Sequence, residues 1–103
     1  MKNIAIFGAG GFGREVKTII DKINVEYPNT YNFLGFYDDG ILKGTEINGF
    51  PVLGGVNELN QIETDLELVI SIGDPRIKRS VLNRITNSKI NFPIIIHPNA
   101  SIS

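Results

Sequence analysis

The stretch "IAIFGAGGFGREV", residues 4 to 16, decides how the rest of the chain is read. Apolar residues run without alternation into a glycine, the pattern of a strand buried on both faces. Gly8, Gly10 and Gly13 then fit G-x-G-x-x-G. In that spacing the first glycine permits a tight turn, the second lets backbone approach a ligand, and the third allows close packing of the helix. Gly11 removes one more side chain from the same loop. From Phe12 the apolar period changes, and Val16, Ile19, Ile20 and Ile23 fall on one face of a helix that ends before Pro28. A helix N-terminus behind a glycine turn offers free N–H groups and roughly half a positive charge. The loop reads as a cradle for a phosphate.

Strand and helix alternate along the remaining chain. "YNFLGFYDD" (31 to 39) reads as a second strand, and the glycine-rich segment 40 to 55 as a loop with a short strand "PVL" (51 to 53). "VNELNQI" gives one or two helical turns, and "LELVISIG" (66 to 73) another buried strand stopped by glycine. Asp74 as N-cap and Pro75 at the first helical position open a second long helix, with Ile77, Val81, Leu82 and Ile85 on its apolar face. "FPIII" (92 to 96) is the last strand. This alternation predicts an α/β, Rossmann-like, three-layer domain with a parallel sheet of four to five strands, in spatial order 3-2-1-4-5. Its crevice lies at the carboxyl ends of the strands, where the order reverses.

Bulk composition narrows the function classes. With 103 residues the chain suits one small domain, and 42% hydrophobic with 20% charged residues describes an ordinary folded globule. A net charge of −1 leaves no basic footprint for nucleic acid. There is no cysteine, so no disulfide framework or thiolate metal site, which fits a reducing compartment such as the cytoplasm. No apolar run approaches the roughly 20 residues that span a bilayer, so no membrane role is expected.

Three segments converge on the expected crevice. The first is the glycine loop with Arg14, a cation that opposes the helix dipole unless an anion lies near it. The second is Asp38-Asp39, where an acid can accept hydrogen bonds from ribose hydroxyls or a base N–H, though Asp-Gly is also simple turn chemistry. The third is "SIGDP" (71 to 75), where Ile72 and Gly73 leave the backbone open and Asp74 caps its own helix, with Lys78 a turn later. His97, the single histidine, follows a buried strand and reads as structural.

In this order, "FGAGGFGREV", "GFYDD", "GFPVLGGVNEL", "LVISIGDPRIKRSV" and "IIIHPNASIS" resemble the N-terminal domain of the NeuD/PglD-like sugar acetyltransferases, which include sialic acid O-acetyltransferases. The resemblance covers essentially the whole chain. It implies a domain over residues 1–97 that binds a UDP-linked or related sugar. It also implies that residues 98–103 begin a left-handed β-helix of hexapeptide repeats. In the family that β-helix forms a homotrimer, binds acetyl-CoA as co-substrate and supplies the catalytic histidine, which would lie beyond Ser103. The domain itself is then expected to bind substrate without catalysing, and to hold neither cofactor nor metal. The candidate substrate-binding set is Gly8, Gly10, Gly11, Phe12, Gly13, Arg14, Asp38, Asp39, Ile72, Gly73, Asp74 and Lys78. Two departures stand out: Phe12 where many members carry histidine, and "IGD" with Lys78 where many carry "IGN" and an arginine. The rival readings are an NAD(P)-binding domain of an oxidoreductase or redox sensor, and a non-catalytic assembly module.

Overall fold

In a computed structural model that describes residues 1–95, the chain forms a mostly parallel six-stranded sheet with helices on both faces. The elements in order are β1 (Lys2–Phe7), α1 (Gly11–Glu26), β2 (Tyr31–Tyr37), β3 (Glu46–Ile47), β4 (Phe50–Gly54), α2 (Val56–Leu59), β5 (Leu66–Ile70), α3 (Pro75–Arg84) and β6 (Ile90–Asn91). The strand order is β3-β4-β2-β1-β5-β6. Central β1 pairs in parallel with β2 on one side and β5 on the other, so the winding reverses there and the crevice opens above it. The four strands expected at 3–7, 31–39, 51–53 and 66–73 occupy the expected order, and a further strand lies in the fifth place, beside β5.

Period-two alternation splits the core into two layers. Ile4 and Ile6 of β1 point to the α1 side, where they meet Ile20, Phe36 and Val52. Ala5 and Phe7 point the other way, to Leu59, Leu66, Leu68 and Val81. Along α1 the expected face is inward: Ile20 is completely buried, and Val16, Ile19 and Ile23 are half-buried. The face of α3 is thinner than its sequence suggests. Val81 is buried and Ile85 half-buried, but Ile77 is 53% and Leu82 37% exposed.

Two elements differ from the sequence reading. The segment 40 to 55 contains a hairpin, in which β3 runs antiparallel to β4 and adds the sixth strand. Its two-residue turn is Asn48-Gly49, with φ of 50° and 85°, the left-handed pair that suits the twist of a hairpin. The last strand among the described residues is Ile90–Asn91, pairing with Leu66 and Glu67; residues 92–95 of the expected strand 92 to 96 are not in a strand, and Ile96 lies outside the described residues. Pro93 has no N–H to give a ladder, which ends regular pairing before it. His97 and the expected β-helix start at 98–103 lie outside the described residues. Among the described residues, no helix is long and apolar enough to cross a membrane.

Gly35 is required by the sheet itself. The β1–β2 register shifts between Ile4 and Ala5, and Gly35 absorbs it at φ +147° with its α-carbon against the Pro51 carbonyl. Gly35→Ala is expected to lower unfolding free energy by about 1–3 kcal/mol or more through backbone strain. Val25→Ala, at an 81% exposed position of α1, is expected to stay within about 0.5 kcal/mol of the parent. Urea unfolding of both variants checks the contrast.

Candidate functional site

The carboxyl ends of four strands are stitched together by backbone hydrogen bonds. Gly8 N–H donates to the Tyr37 carbonyl at 2.8 Å, Asp38 N–H to Gly54 at 2.8 Å, and Ser71 N–H to Phe7 at 2.9 Å. Gly8 lies at φ +105°, and a Cβ there would come 2.9 Å from the Ser71 carbonyl oxygen. The Ser71 hydroxyl, buried in this junction, donates to the Gly8 carbonyl at 3.0 Å. Gly13 packs against the loop rather than the sheet: a Cβ on it would collide with the Gly8 carbonyl. Gly8 and Gly13 therefore have sufficient reasons within the fold.

Gly10 and Gly73 do not. Gly10 caps α1 at φ −76°, and a Cβ on either residue would meet nothing within 4 Å. Neither backbone strain nor packing demands glycine there, and both positions flank the mouth of the crevice. No side chain caps α1; Gly13 and Arg14 donate to the Gly10 carbonyl, and the Phe12 N–H has no partner among the described residues. Phe12 is 61% exposed, and Arg14 is exposed with no ion pair among the described residues. An anion at this end of α1 would find free donors and an uncommitted cation.

The two aspartates have separate surroundings. Asp38 Oδ2 accepts from the Ala9 N–H of the glycine loop at 3.1 Å, and Oδ1 from Gly40 N–H at 2.8 Å. Asp39 turns toward the opposite helical layer, where Oδ1 accepts from Val56 N–H at 2.9 Å and Oδ2 pairs with Arg84 at 2.9 Å. Glu58 closes the same corner, accepting from Gly55 N–H at 2.6 Å. Between these groups lies a cavity of about 450 Å³ lined by Asp38–Lys43, Gly54, Gly55, Asn57 and Glu58. A slightly larger one, about 510 Å³, lies among Lys2, Asp65, Glu67 and Asn91 at the amino ends of the strands, far from the glycine loop. Ligands of such sheets bind at the carboxyl ends, so the former adjoins the candidate site, although of the sequence-derived set only Asp38 and Asp39 line it.

The third segment behaves as its sequence suggests. Asp74 Oδ1 accepts from Arg76 N–H at 2.8 Å, capping α3 above Pro75, and Oδ2 lies 3.6 Å from the Arg76 guanidinium. Its charge is thus directed at its own helix. Ile72 is half-buried and Gly73 exposed beside it. Lys78 borders a different, apolar groove of about 220 Å³ with Leu82, Phe92 and Pro93 on the β6 side of β5. Sequence reasoning missed Ser71, Glu58 and Arg84. A small polar residue after the run "LELVI" is a signal for Ser71, and "GVNEL" spells a helix start with its acid three residues on. Arg84 has no local signal, since its partner is distant in sequence.

Residues 3–85 match the PglD N-terminal domain family. The chain belongs to that family. Among curated relatives, this PglD N-terminal domain is 27% identical over its full length to a UDP-N-acetylbacillosamine N-acetyltransferase of Bacillus subtilis (strain 168). It is 31% identical over 99% of its length to a GDP-perosamine N-acetyltransferase of Escherichia coli O157:H7. It spans 46% of the length of each. Among solved structures it resembles the acetyltransferase domain of PglB from Neisseria gonorrhoeae FA1090, with TM-score 0.69, 26% identity, and coverage of 96% of this chain and 46% of that one. The same protein in complex with acetyl coenzyme A gives TM-score 0.68 at 27% identity, covering 95% of this chain and 45% of that one.

Two outcomes test the geometry without any ligand. Gly13→Ala is expected to destabilise the domain severely, whereas Gly10→Ala costs at most about 1 kcal/mol as an exposed cap change. Thermal unfolding of the pair separates the glycine that packing demands from the one it does not. Tyr37 provides a second check: burial raises its phenol above the ordinary value of 10.0, and the negative Glu58 raises it further. A phenol held protonated in the fold but free to ionise when unfolded stabilises fully below pH 10 and loses that contribution above it. Unfolding free energy should fall from about pH 10 upward, and less steeply in Tyr37→Phe.

Proposed function

We propose that this domain binds the nucleotide-sugar substrate of an acetyl-CoA-dependent sugar N-acetyltransferase, with the diphosphate at the start of α1 and the nucleoside toward the Asp38 cavity. The observation that carries this reading is the Asp38–Ala9 contact. A carboxylate 3.1 Å from a loop N–H repels a diphosphate at that point, while each of its oxygens keeps acceptor capacity for a ligand N–H or hydroxyl. Phosphate is pushed along the loop to the open face of Gly10, the Phe12 N–H and Arg14. Donors of the base or ribose are drawn to Asp38. Gly73 leaves room on the opposite wall.

The Asp38–Ala9 contact favours this over a dinucleotide, whose pyrophosphate laid along the loop would meet the carboxylate. A dinucleotide site uses two mononucleotide halves on either side of the switch point. Among the described residues, β5, a ten-residue α3 and a two-residue β6 lie on the far side of that point. Asp74, turned onto its own helix, presents little repulsion to a phosphate across the crevice.

Among the described residues no histidine faces the crevice, and they perform binding and orientation only. Acetyl transfer is assigned to a part of the enzyme outside residues 1–95, with acetyl-CoA as co-substrate and an amine as acceptor. Both curated relatives are N-acetyltransferases, and the PglB structure carries acetyl coenzyme A. An O-acetyl acceptor is the variant of the same chemistry.

Thermal shift with UDP, UDP-N-acetylglucosamine, GDP, NAD and NADP tests the reading. Uridine nucleotides are expected to stabilise, approaching about 2.7 kcal/mol at 100-fold excess over the dissociation constant, with no effect of NAD or NADP. A shift with NAD and none with UDP or GDP reverses the assignment. Arg14→Ala should weaken the binding of UDP by roughly 1–2 kcal/mol, because it removes a charged donor from phosphate, and leave stability nearly unchanged. Gly10→Val should abolish binding with an intact fold, since its branched side chain would fill the space the phosphate takes.

A further inference from the structure

The Asp39 carboxylate is clamped between two groups, the Val56 N–H and the Arg84 guanidinium, each at 2.9 Å. A Cβ on Gly55 would run into Asp39 Oδ1, so the carboxylate lies hard against the Gly55–Val56 peptide. One residue earlier, Asp38 holds the Ala9 and Gly40 N–H groups. This dipeptide therefore joins the glycine loop, the turn after β2, the start of α2 and the last turn of α3. Arg84 supplies the α3 end of the clamp, yet it does not line the cavity beside Asp38.

We propose that Arg84 is a positioning residue for the nucleotide site: by pinning Asp39 against Val56 it fixes the turn at residues 38–40 and aims the Asp38 carboxylate at the cavity. This rests on the reading that Asp38 meets the ligand. The two side chains of the pair are 50% and 41% exposed, so the effect of removing it is modest. Exposed pairs of this kind change an equilibrium by about two- to five-fold. The consequence is geometric, because Asp38 and Asp39 are consecutive residues of the turn after β2 and share its backbone.

The experiment uses Arg84→Met, which keeps the apolar stem, Arg84→Lys, Asp39→Asn and the Arg84→Met/Asp39→Asn double variant. Amide nitrogen–proton correlation spectra are recorded without ligand, and UDP and GDP affinities are measured by calorimetry. Arg84→Met is expected to move the Val56, Gly40 and Ala9 amide resonances and to weaken UDP binding by about two- to five-fold. Arg84→Lys should recover most of both effects. The double variant should bind no more weakly than the weaker single one. Multiplying losses in the double variant would overturn the proposal, because Arg84 would then act independently of Asp39. Amide shifts confined to Val56 would overturn it as well. If the parent binds neither UDP nor GDP, the nucleotide reading fails, and the Gly40 and Ala9 amides alone decide whether Arg84 positions Asp38.

Discussion

The constraint on which the crevice depends is the backbone approach of Gly8 to Ser71. Two parallel strands end side by side, and the chain leaving β1 must turn at once without a side chain, because the Ser71 carbonyl occupies the place of a Cβ. The Ser71 hydroxyl then gives the half-buried Gly8 carbonyl a partner at the start of the turn. Only with Gly8 held there can Gly13 pass against it and α1 start where it does. The crevice above β1 is a consequence of that packing: the helix leaves on one face, β5 continues to the other, and the gap between them is lined by backbone.

Much of this was legible because the deciding residues are neighbours in sequence. The glycine spacing, the change of period at Phe12 and the Asp74-Pro75 start each encode a local geometry, and the strand order follows from short right-handed crossovers. The hairpin was legible in principle, since Asn48-Gly49 carries the two-residue turn signal, but its strand is only two residues long beside a run of glycines. The last strand was misplaced because apolar content alone does not register that Pro93 lacks a donor. The exposed Ile77 and Leu82 show the same limit: a helical stripe records what can be buried, and not how much neighbouring structure is there to bury it.

In the site, sequence distinguished the ends of strands from their middles but could not assign the two aspartates. Successive residues at a strand end point to opposite layers, and only the fold shows which layer holds what. Asp38 falls on the glycine-loop side and Asp39 on the side of α2 and α3. Arg84 could not be read from the sequence, because its role is defined by a partner 45 positions earlier.

Under the proposed reading, the arrangement turns a glycine fingerprint away from its commonest ligand. In a dinucleotide fold the acid after the second strand stands clear of the loop and meets a ribose hydroxyl. Here the same acid leans onto the loop and takes the Ala9 N–H for itself. One donor is withdrawn from the phosphate cradle and a negative charge is placed in its stead. The remaining positive potential is concentrated at the first turn of α1 and at Arg14. A ligand that fits must separate its charge from its hydrogen-bond donors, with anionic oxygens at the helix end and neutral N–H or O–H groups at the acid. A nucleoside diphosphate linked to a sugar has that polarity along its length, and its second end is a sugar rather than a second nucleotide.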